Sequence, residues 1–268
     1  VADPRPIGVF DSGIGGLTVL QALWCHLPSE STVYLGDTAR VPYGTKSADV
    51  VTRYAVKNAE FLLARDIKLL VVACNTASSV ALPALERALA VPVVGVIDPG
   101  AGAAIARTRS GRVGVIGTPG TIRSGAYQRA LEQLRPGVHV SVKACPLFVP
   151  LAEEGWTEGE VPRLVAREYL AELSAEGVDV LVLGCTHYPL LREVISSVVG
   201  QGIALVDSAE ATAEAVRAQL TTGKALAEGR GPPNHSFFVT DVPERFREVG
   251  ARFLGRPIPN AELVDLAF

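Results

Sequence analysis

Two stretches carry the residues best suited to chemistry: LLVVACNTASS at residues 69–79 and VLVLGCTHYP at residues 180–189. In each, an apolar run leads into a cysteine, Cys74 or Cys185. Polar residues follow at once, Asn75, Thr76 and Ser78 in the first and Thr186 and His187 in the second. A thiol with an ordinary pKa of about 8.5 lies close enough to neutrality to serve as thiolate base or thiol acid once its neighbours tune it. A short buried strand that ends in small polar residues is how α/β proteins present a reactive group at the carboxyl edge of a sheet. One such cysteine is more often a packing residue. A matched pair calls for another explanation.

The cysteine pair is part of a longer internal repeat. IGVFDSG from Ile7 resembles VGVIGTPG from Val113, and RVPYG, with Val41 and Pro42, resembles FVPLAEEG, with Val149 and Pro150. LLVVACNTA sets Cys74 against Cys185 in VLVLGCTHY, and VVGVIDPGA sets Asp98 against Asp207 in GIALVDSAEA. The four matches keep their order and a near-constant offset. Around them, short Val/Ile/Leu runs predict strands at residues 7–10, 33–35, 69–73, 93–97, 113–116, 139–143, 178–183, 203–206 and 237–240. Amphipathic patterns predict helices at 17–26, 48–65, 79–89, 122–134, 160–176, 190–199, 209–220 and 244–254. Strands apolar on both faces and separated by helices indicate parallel sheets covered on both sides.

The fold class is therefore α/β, with two similar parallel-sheet αβα domains related by a pseudo-twofold and a site in the cleft between them. The first domain takes residues 1–97 plus 207–268, and the second takes 98–206. The last stretch, of about 60 residues, is too small for a core of its own and completes the first domain. GRGPPNH at 229–235 marks a loop within it.

Ligands of parallel sheets bind outside the carboxyl ends of the strands. The repeated ends offer Asp11 and Ser12, then Tyr43 and Gly44, then Cys74, Asn75 and Thr76 from the first half; Thr118, Glu153, Cys185, Thr186 and His187 come from the second. Inverting a carbon that bears a hydrogen needs a base on one face and an acid on the other, and two opposed thiols supply both. His187 points to the side of Cys185 if that segment stays extended, and Asp11 or Glu153 can shuttle charge for the thiols. Ser12, Asn75, Thr76 and Thr186, with N–H groups at helix N-termini, are donors for a substrate carboxylate. Thr118 joins this substrate-binding set.

Other readings compete. DSGIGG at 11–16 is not a dinucleotide loop, because Thr18 stands where a third glycine is needed. Asp11 or Ser12 can cap the following helix. Cys185 and His187 lack companions for a metal site, so no metal is expected. Glu153 and Glu154 can be a solvated pair, and Cys25, beside Trp24, and Cys145 are read as packing residues.

Composition narrows the partners. The chain has 268 residues, 48% of them hydrophobic, and a formal net charge of -3, which excludes a basic stripe for nucleic acid. VADPRPIGVF carries no basic region followed by a long apolar run, and nothing approaches the roughly 18 apolar residues of a membrane helix. Four scattered cysteines without a Cys-x-x-Cys pair suit a reducing cytoplasm. A cytoplasmic protein with no export signal, no membrane partner and no nucleic-acid partner is expected.

Five stretches, FDSGIGGL (10–17), GDTARVPYG (36–44), ACNTAS (73–78), CPLFVPLAEEG (145–155) and GCTHYPLL (184–191), together resemble the glutamate racemases. These belong to the cofactor-independent aspartate/glutamate racemase superfamily, and the resemblance covers nearly the whole chain. It implies interconversion of L- and D-glutamate by two opposed cysteines, with no cofactor, supplying D-glutamate for peptidoglycan. By matching positions it implies that Cys74 acts on the proton of D-glutamate and Cys185 on that of L-glutamate, with Asp11, Glu153 and His187 assisting. It further implies that Ser12, Tyr43, Gly44, Asn75, Thr76 and Thr186 hold the substrate, and that the protein is a homodimer. Some members carry an amino-terminal extension tied to activation by a nucleotide-linked cell-wall precursor; here the first strand is predicted from Ile7. Within the superfamily, aspartate and hydantoin racemases use a similar thiol pair and a decarboxylase uses one. A two-lobed protein that only binds a small ligand is the alternative from another class.

Overall fold

The computed structural model describes residues 2–227 and 231–266, so Gly229 and Arg230 of the glycine–proline loop lie outside the described residues. The first sheet has the order β10-β9-β2-β1-β3-β4: β1 (Ile7–Asp11), β2 (Thr32–Gly36), β3 (Leu69–Val72), β4 (Val93–Gly95), β9 (His235–Val239) and β10 (Glu262–Leu263). The second has the order β6-β5-β7-β8: β5 (Arg112–Gly117), β6 (His139–Ala144), β7 (Val180–Gly184) and β8 (Ala204–Asp207). All pairings are parallel. The segment β2-β1-β3-β4 thus has the same order as β6-β5-β7-β8, which is the sequence repeat expressed as topology.

Both faces of each sheet are buried, and this is why the strands read as unbroken apolar runs. In β3, Leu69 and Val71 join one core and Leu70 and Val72 the other. In β7 the same alternation sends Val180 and Val182 to one side and Leu181 and Leu183 to the opposite side. The first sheet is covered by α2 (Ala48–Leu63) and α3 (Asn75–Ala88) on one face. On the other lie α1 (Leu17–His26), α10 (Ser208–Thr222) and α11 (Pro243–Leu254). The second is covered by α4 (Ile97–Arg107) and α6 (Ala126–Leu134) on one face and by α8 (Glu160–Ala175) and α9 (Arg192–Val199) on the other. Among the described residues, no helix is long and apolar enough to cross a membrane.

Several elements differ from the sequence expectation. Helix α4 was not among the expected helices; Pro99 lies in its first turn, where a missing N–H costs nothing. At Gly100 an added Cβ would stand 3.2 Å from the Cβ of Ser208, the first residue of α10, so the glycine serves close packing of the two helices that link the sheets. The helix expected at 122–134 is two helices, α5 (Pro119–Ser124) and α6, hinged at Gly125 with φ +66. Helix α7 (Phe148–Glu153) was not expected, and the residues at 190–191 belong to a 3-10 turn, Tyr188–Leu191, ahead of α9. Cys145 is buried as expected, whereas Cys25 is exposed and is no packing residue.

At the opposite edge from the cysteines, a buried ion pair ties the amino-terminal end of the first sheet together. Lys68 Nζ lies 2.6 Å from Glu30 Oε2, with the two side chains 1% and 3% exposed. It also donates to the carbonyl oxygens of Asp3 and Ala225, while Glu30 Oε1 accepts from the N–H of Ala227. Removing one partner of such a pair leaves a buried charge alone, so Lys68→Met is expected to cost about 3–5 kcal/mol. Urea denaturation checks this, and an unchanged midpoint would show that the pair contributes nothing.

Candidate active site

The carboxyl ends of the two sheets face one cavity. Ser12, Tyr43, Gly44, Cys74, Asn75 and Thr76 line it from the first sheet, and Thr118, Glu153, Cys185, Thr186 and His187 from the second. Asp11 does not reach the cavity wall. It ends β1, is fully buried, and its Oδ2 accepts from the N–H of Gly13 at 2.9 Å. The residue before α1 is Gly16, without a side-chain cap, so neither Asp11 nor Ser12 caps that helix.

Glycines let the loops meet. A Cβ at Gly15 would stand 2.2 Å from Thr186 Oγ1 and 2.4 Å from His187 Nδ1. On the other flank a Cβ at Gly44 would stand 2.7 Å from the Cβ of Thr118, and one at Gly120 would stand 2.9 Å from the Gly44 oxygen. Only the absence of side chains permits these approaches.

Cys74 is the residue immediately before α3, and that helix begins at Asn75 rather than at Ser79 as the polar run suggested. The run is compatible with a helix because its side chains have partners: Ser78 Oγ donates to the Val72 oxygen, and Ser79 Oγ to the Thr76 oxygen. Asn75 and Thr76 thereby sit in a first turn whose N–H groups point toward the cavity end of the helix. Thr76 Oγ1 is 2.9 Å from Thr118 Oγ1 and 3.3 Å from Thr121 Oγ1, a hydroxyl cluster joining the two halves. Tyr127 donates its hydroxyl to Asn75 Oδ1 at 2.7 Å, while Asn75 Nδ2 is buried with no protein partner among the described residues. Tyr43 donates its hydroxyl to the buried Asp37 and accepts from Asn58 Nδ2 at 3.1 Å, which fixes its ring at the wall.

Each thiol is 5% exposed, but their surroundings differ. Cys74 Sγ donates to Ser12 Oγ at 3.6 Å. Burial pushes its pKa up to about 12, and the charge of Asp11 adds to the rise. Burial also raises the Asp11 carboxyl, against the pull of the His187 charge and the Gly13 N–H. Cys185 has a basic neighbour instead, with His187 Nδ1 3.8 Å from its sulfur and His187 Nε2 3.0 Å from Glu153 Oε1. Burial opposes the charged imidazole, yet Cys185 and Glu153 outweigh it and raise His187 to about 10. Glu153 is held below the usual range, because the hydrogen bond and charge of His187 overcome its own burial. The proximity of His187 to Cys185 does not come from an extended segment. His187 is helical, with φ -82 and ψ -29, and a turn folds its ring back over the sulfur.

Sequence reasoning missed the apolar walls, Ile14, Val41, Pro42 and Val149, and the second layer of Thr121, Tyr127, Arg245, Arg252 and Phe253. Val41, Pro42 and Val149 lay inside the repeated VP motifs, which was a usable signal. The α11 residues lie about 60 positions after Cys185, and no local pattern pointed to them.

Residues 18–216 match the Asp/Glu/Hydantoin racemase family. A glutamate racemase of Geobacter metallireducens is 59% identical over 262 residues, which covers 98% of this chain and 97% of that protein. The crystal structure of a glutamate racemase from Bacillus anthracis has a TM-score of 0.94 at 42% identity, covering 98% of each chain. That of the Francisella tularensis glutamate racemase, in complex with D-glutamate, has a TM-score of 0.92 at 40% identity, again over 98% of each chain. The chain therefore belongs to the Asp/Glu/Hydantoin racemase family and, within it, to the glutamate racemases, enzymes of the isomerase class.

Proposed function

We propose that this enzyme interconverts L- and D-glutamate by passing the α-proton between Cys74 and Cys185, without a cofactor. The observation that carries this reading is that two nearly buried thiols, at corresponding strand ends, line one cavity with separate acid–base partners behind them. The substrate carboxylate lies against the N-terminal N–H groups of α3, with Asn75 Nδ2, Ser12 and the Thr76, Thr118 and Thr186 hydroxyls as further donors. Tyr43 and Gly44 shape the wall beside it.

The two thiols take opposite roles. Cys74, whose thiol is raised by burial and lies beside a buried carboxyl, serves as the acid, whereas Cys185, with His187 protonated at neutral pH beside its sulfur, serves as the base. Cys185 takes the proton from one face of the α-carbon, and the Cys74 proton enters the other face. The charge on the thiols is then exchanged, and Asp11 on one side and His187–Glu153 on the other return the protons after product release. By the family resemblance, this direction consumes L-glutamate. The same reading divides the chain into domains at 1–97 with 207–268 and at 98–206, places it in the cytoplasm as a homodimer, and assigns its D-glutamate to peptidoglycan synthesis.

A circular-dichroism assay of L-glutamate beside L-aspartate tests reaction and substrate together. Purified protein without additives is expected to racemise glutamate and to exchange its α-hydrogen with solvent deuterium. Binding without exchange would establish a binding protein instead. Cys74→Ser and Cys185→Ser are each expected to lower turnover by about 10²–10⁴-fold, and full activity in both would sink the two-thiol mechanism. As pH rises past about 10, His187 loses the proton it holds beside Cys185 and can no longer act as the acid of that half of the site, so kcat/KM is expected to fall there. In Glu153→Gln this alkaline limb should move to lower pH, because the carboxylate that raises His187 is gone; steady-state kinetics across pH would reveal an unmoved limb.

A further inference from the structure

Helix α11, contributed by the chain's last segment, touches the acid–base pair beside Cys185 at three points. Arg252 Nη1 donates to the Glu153 backbone oxygen at 2.9 Å, at the carboxyl end of α7. A cation there meets the negative end of the helix dipole. The guanidinium has room because the turn after α7 is made by Gly155, with φ +76, where an added Cβ would stand 2.6 Å from Arg252 Nη1. The next residue, Phe253, is buried and stands edge-on to the His187 ring at 5.1 Å between centroids. Arg245 Nη2 is 3.9 Å from Glu153 Oε2 and 3.3 Å from Glu154 Oε1.

Glu153 needs such support. It is the last residue of a helix of only 6 residues, which is too short to be stable by itself. Its carboxylate must stay within hydrogen-bond distance of His187 for that ring to face Cys185. The backbone of Glu153 is held by Arg252, its carboxylate is attracted by Arg245, and the ring it orients is braced by Phe253.

Resting on the racemase reading above, we propose that Arg252 is a positioning residue for the Cys185 half of the reaction, acting with Phe253 and Arg245 through Glu153 and His187. None of the three needs to touch the substrate. The Cys74 half, served by Asp11 and Ser12, does not depend on α11 in this way.

The test compares wild type, Arg252→Met and Arg252→Lys, each alone and combined with Glu153→Gln. Because the equilibrium between enantiomers is unity, kcat/KM must fall equally in both directions, so the discriminating readouts are the pH profile and the isotope effect with α-deuterated L- and D-glutamate. For Arg252→Met, kcat/KM is expected to drop on the order of 10-fold, with the alkaline limb moving down by about one unit. The isotope effect should rise for the enantiomer whose proton Cys185 removes and fall for the other. Arg252→Lys, which retains the positive charge and N–H donors, should restore the limb toward wild type. In Glu153→Gln, adding Arg252→Met should cost little more. A lower melting temperature with an unchanged limb and symmetric isotope effects would overturn the proposal, as would a full additional loss in the Glu153→Gln background. If Arg252→Met does not fold, Phe253→Leu carries the same expectation for limb and isotope effect. A wild-type protein that fails to racemise glutamate overturns the racemase reading and the proposal with it, whereas active wild type with an indifferent Arg252→Met overturns the proposal alone.

Discussion

The structure depends on bringing the carboxyl edges of two sheets within one small ligand's width of each other. Such an approach is forbidden to ordinary side chains at the points of contact. Gly15 lies where any Cβ would strike Thr186 and His187, and Gly44 and Gly120 meet across the other flank. Thr76, Thr118 and Thr121 then join the halves with hydroxyl contacts that are polar and short, so the seam is closed without filling the cavity with apolar bulk. Larger residues at these glycines would hold the edges apart and leave each cysteine facing its own shallow opening.

Within the cavity the repeat is broken where chemistry requires it. Equal strand ends carry equal thiols, but a buried carboxyl, Asp11, lies behind Cys74 and an imidazole with its pKa raised to about 10, His187, lies beside Cys185. In a site with little water, a neighbouring charge shifts a thiol strongly, because the low dielectric leaves it unscreened. In the proposed reaction this difference is useful. Two identical thiols in identical settings would share a proton without preference, whereas different neighbours bias which thiol holds it. The nearly symmetric scaffold supplies corresponding positions, and the unsymmetric second layer gives the two thiols different neighbours.

That second layer is drawn from distant parts of the chain. After β8 the chain leaves the second sheet through α10 and adds β9 and β10 to the outer edge of the first. The helix between those two strands, α11, brings Arg252 and Phe253 against Glu153 and His187. The tail thus extends one sheet while bracing residues that belong to the other. Helices α4 and α10, packed at Gly100 and Ser208, make the two crossings between the sheets.

Much of this was legible in the linear order of residues. Doubly buried parallel strands must be apolar throughout, so the strand cores and the α/β class could be read directly, and the repeated motifs aligned Cys74 with Cys185. Every residue named for the site except Asp11 lines the cavity, and Asp11 lies directly behind it. Local propensity was weakest where packing decides: no helix was expected at 97–107, a stretch with Gly100 and Gly102, yet α4 is helical because it is held between α6, α10 and the second sheet. What tertiary structure alone decided was the setting of each thiol. The turn that folds His187 over Cys185, the burial of Asp11 behind Cys74 and the grip of α11 on Glu153 are through-space contacts. Electrostatic shifts depend on distance and burial, which a one-dimensional order of residues does not contain.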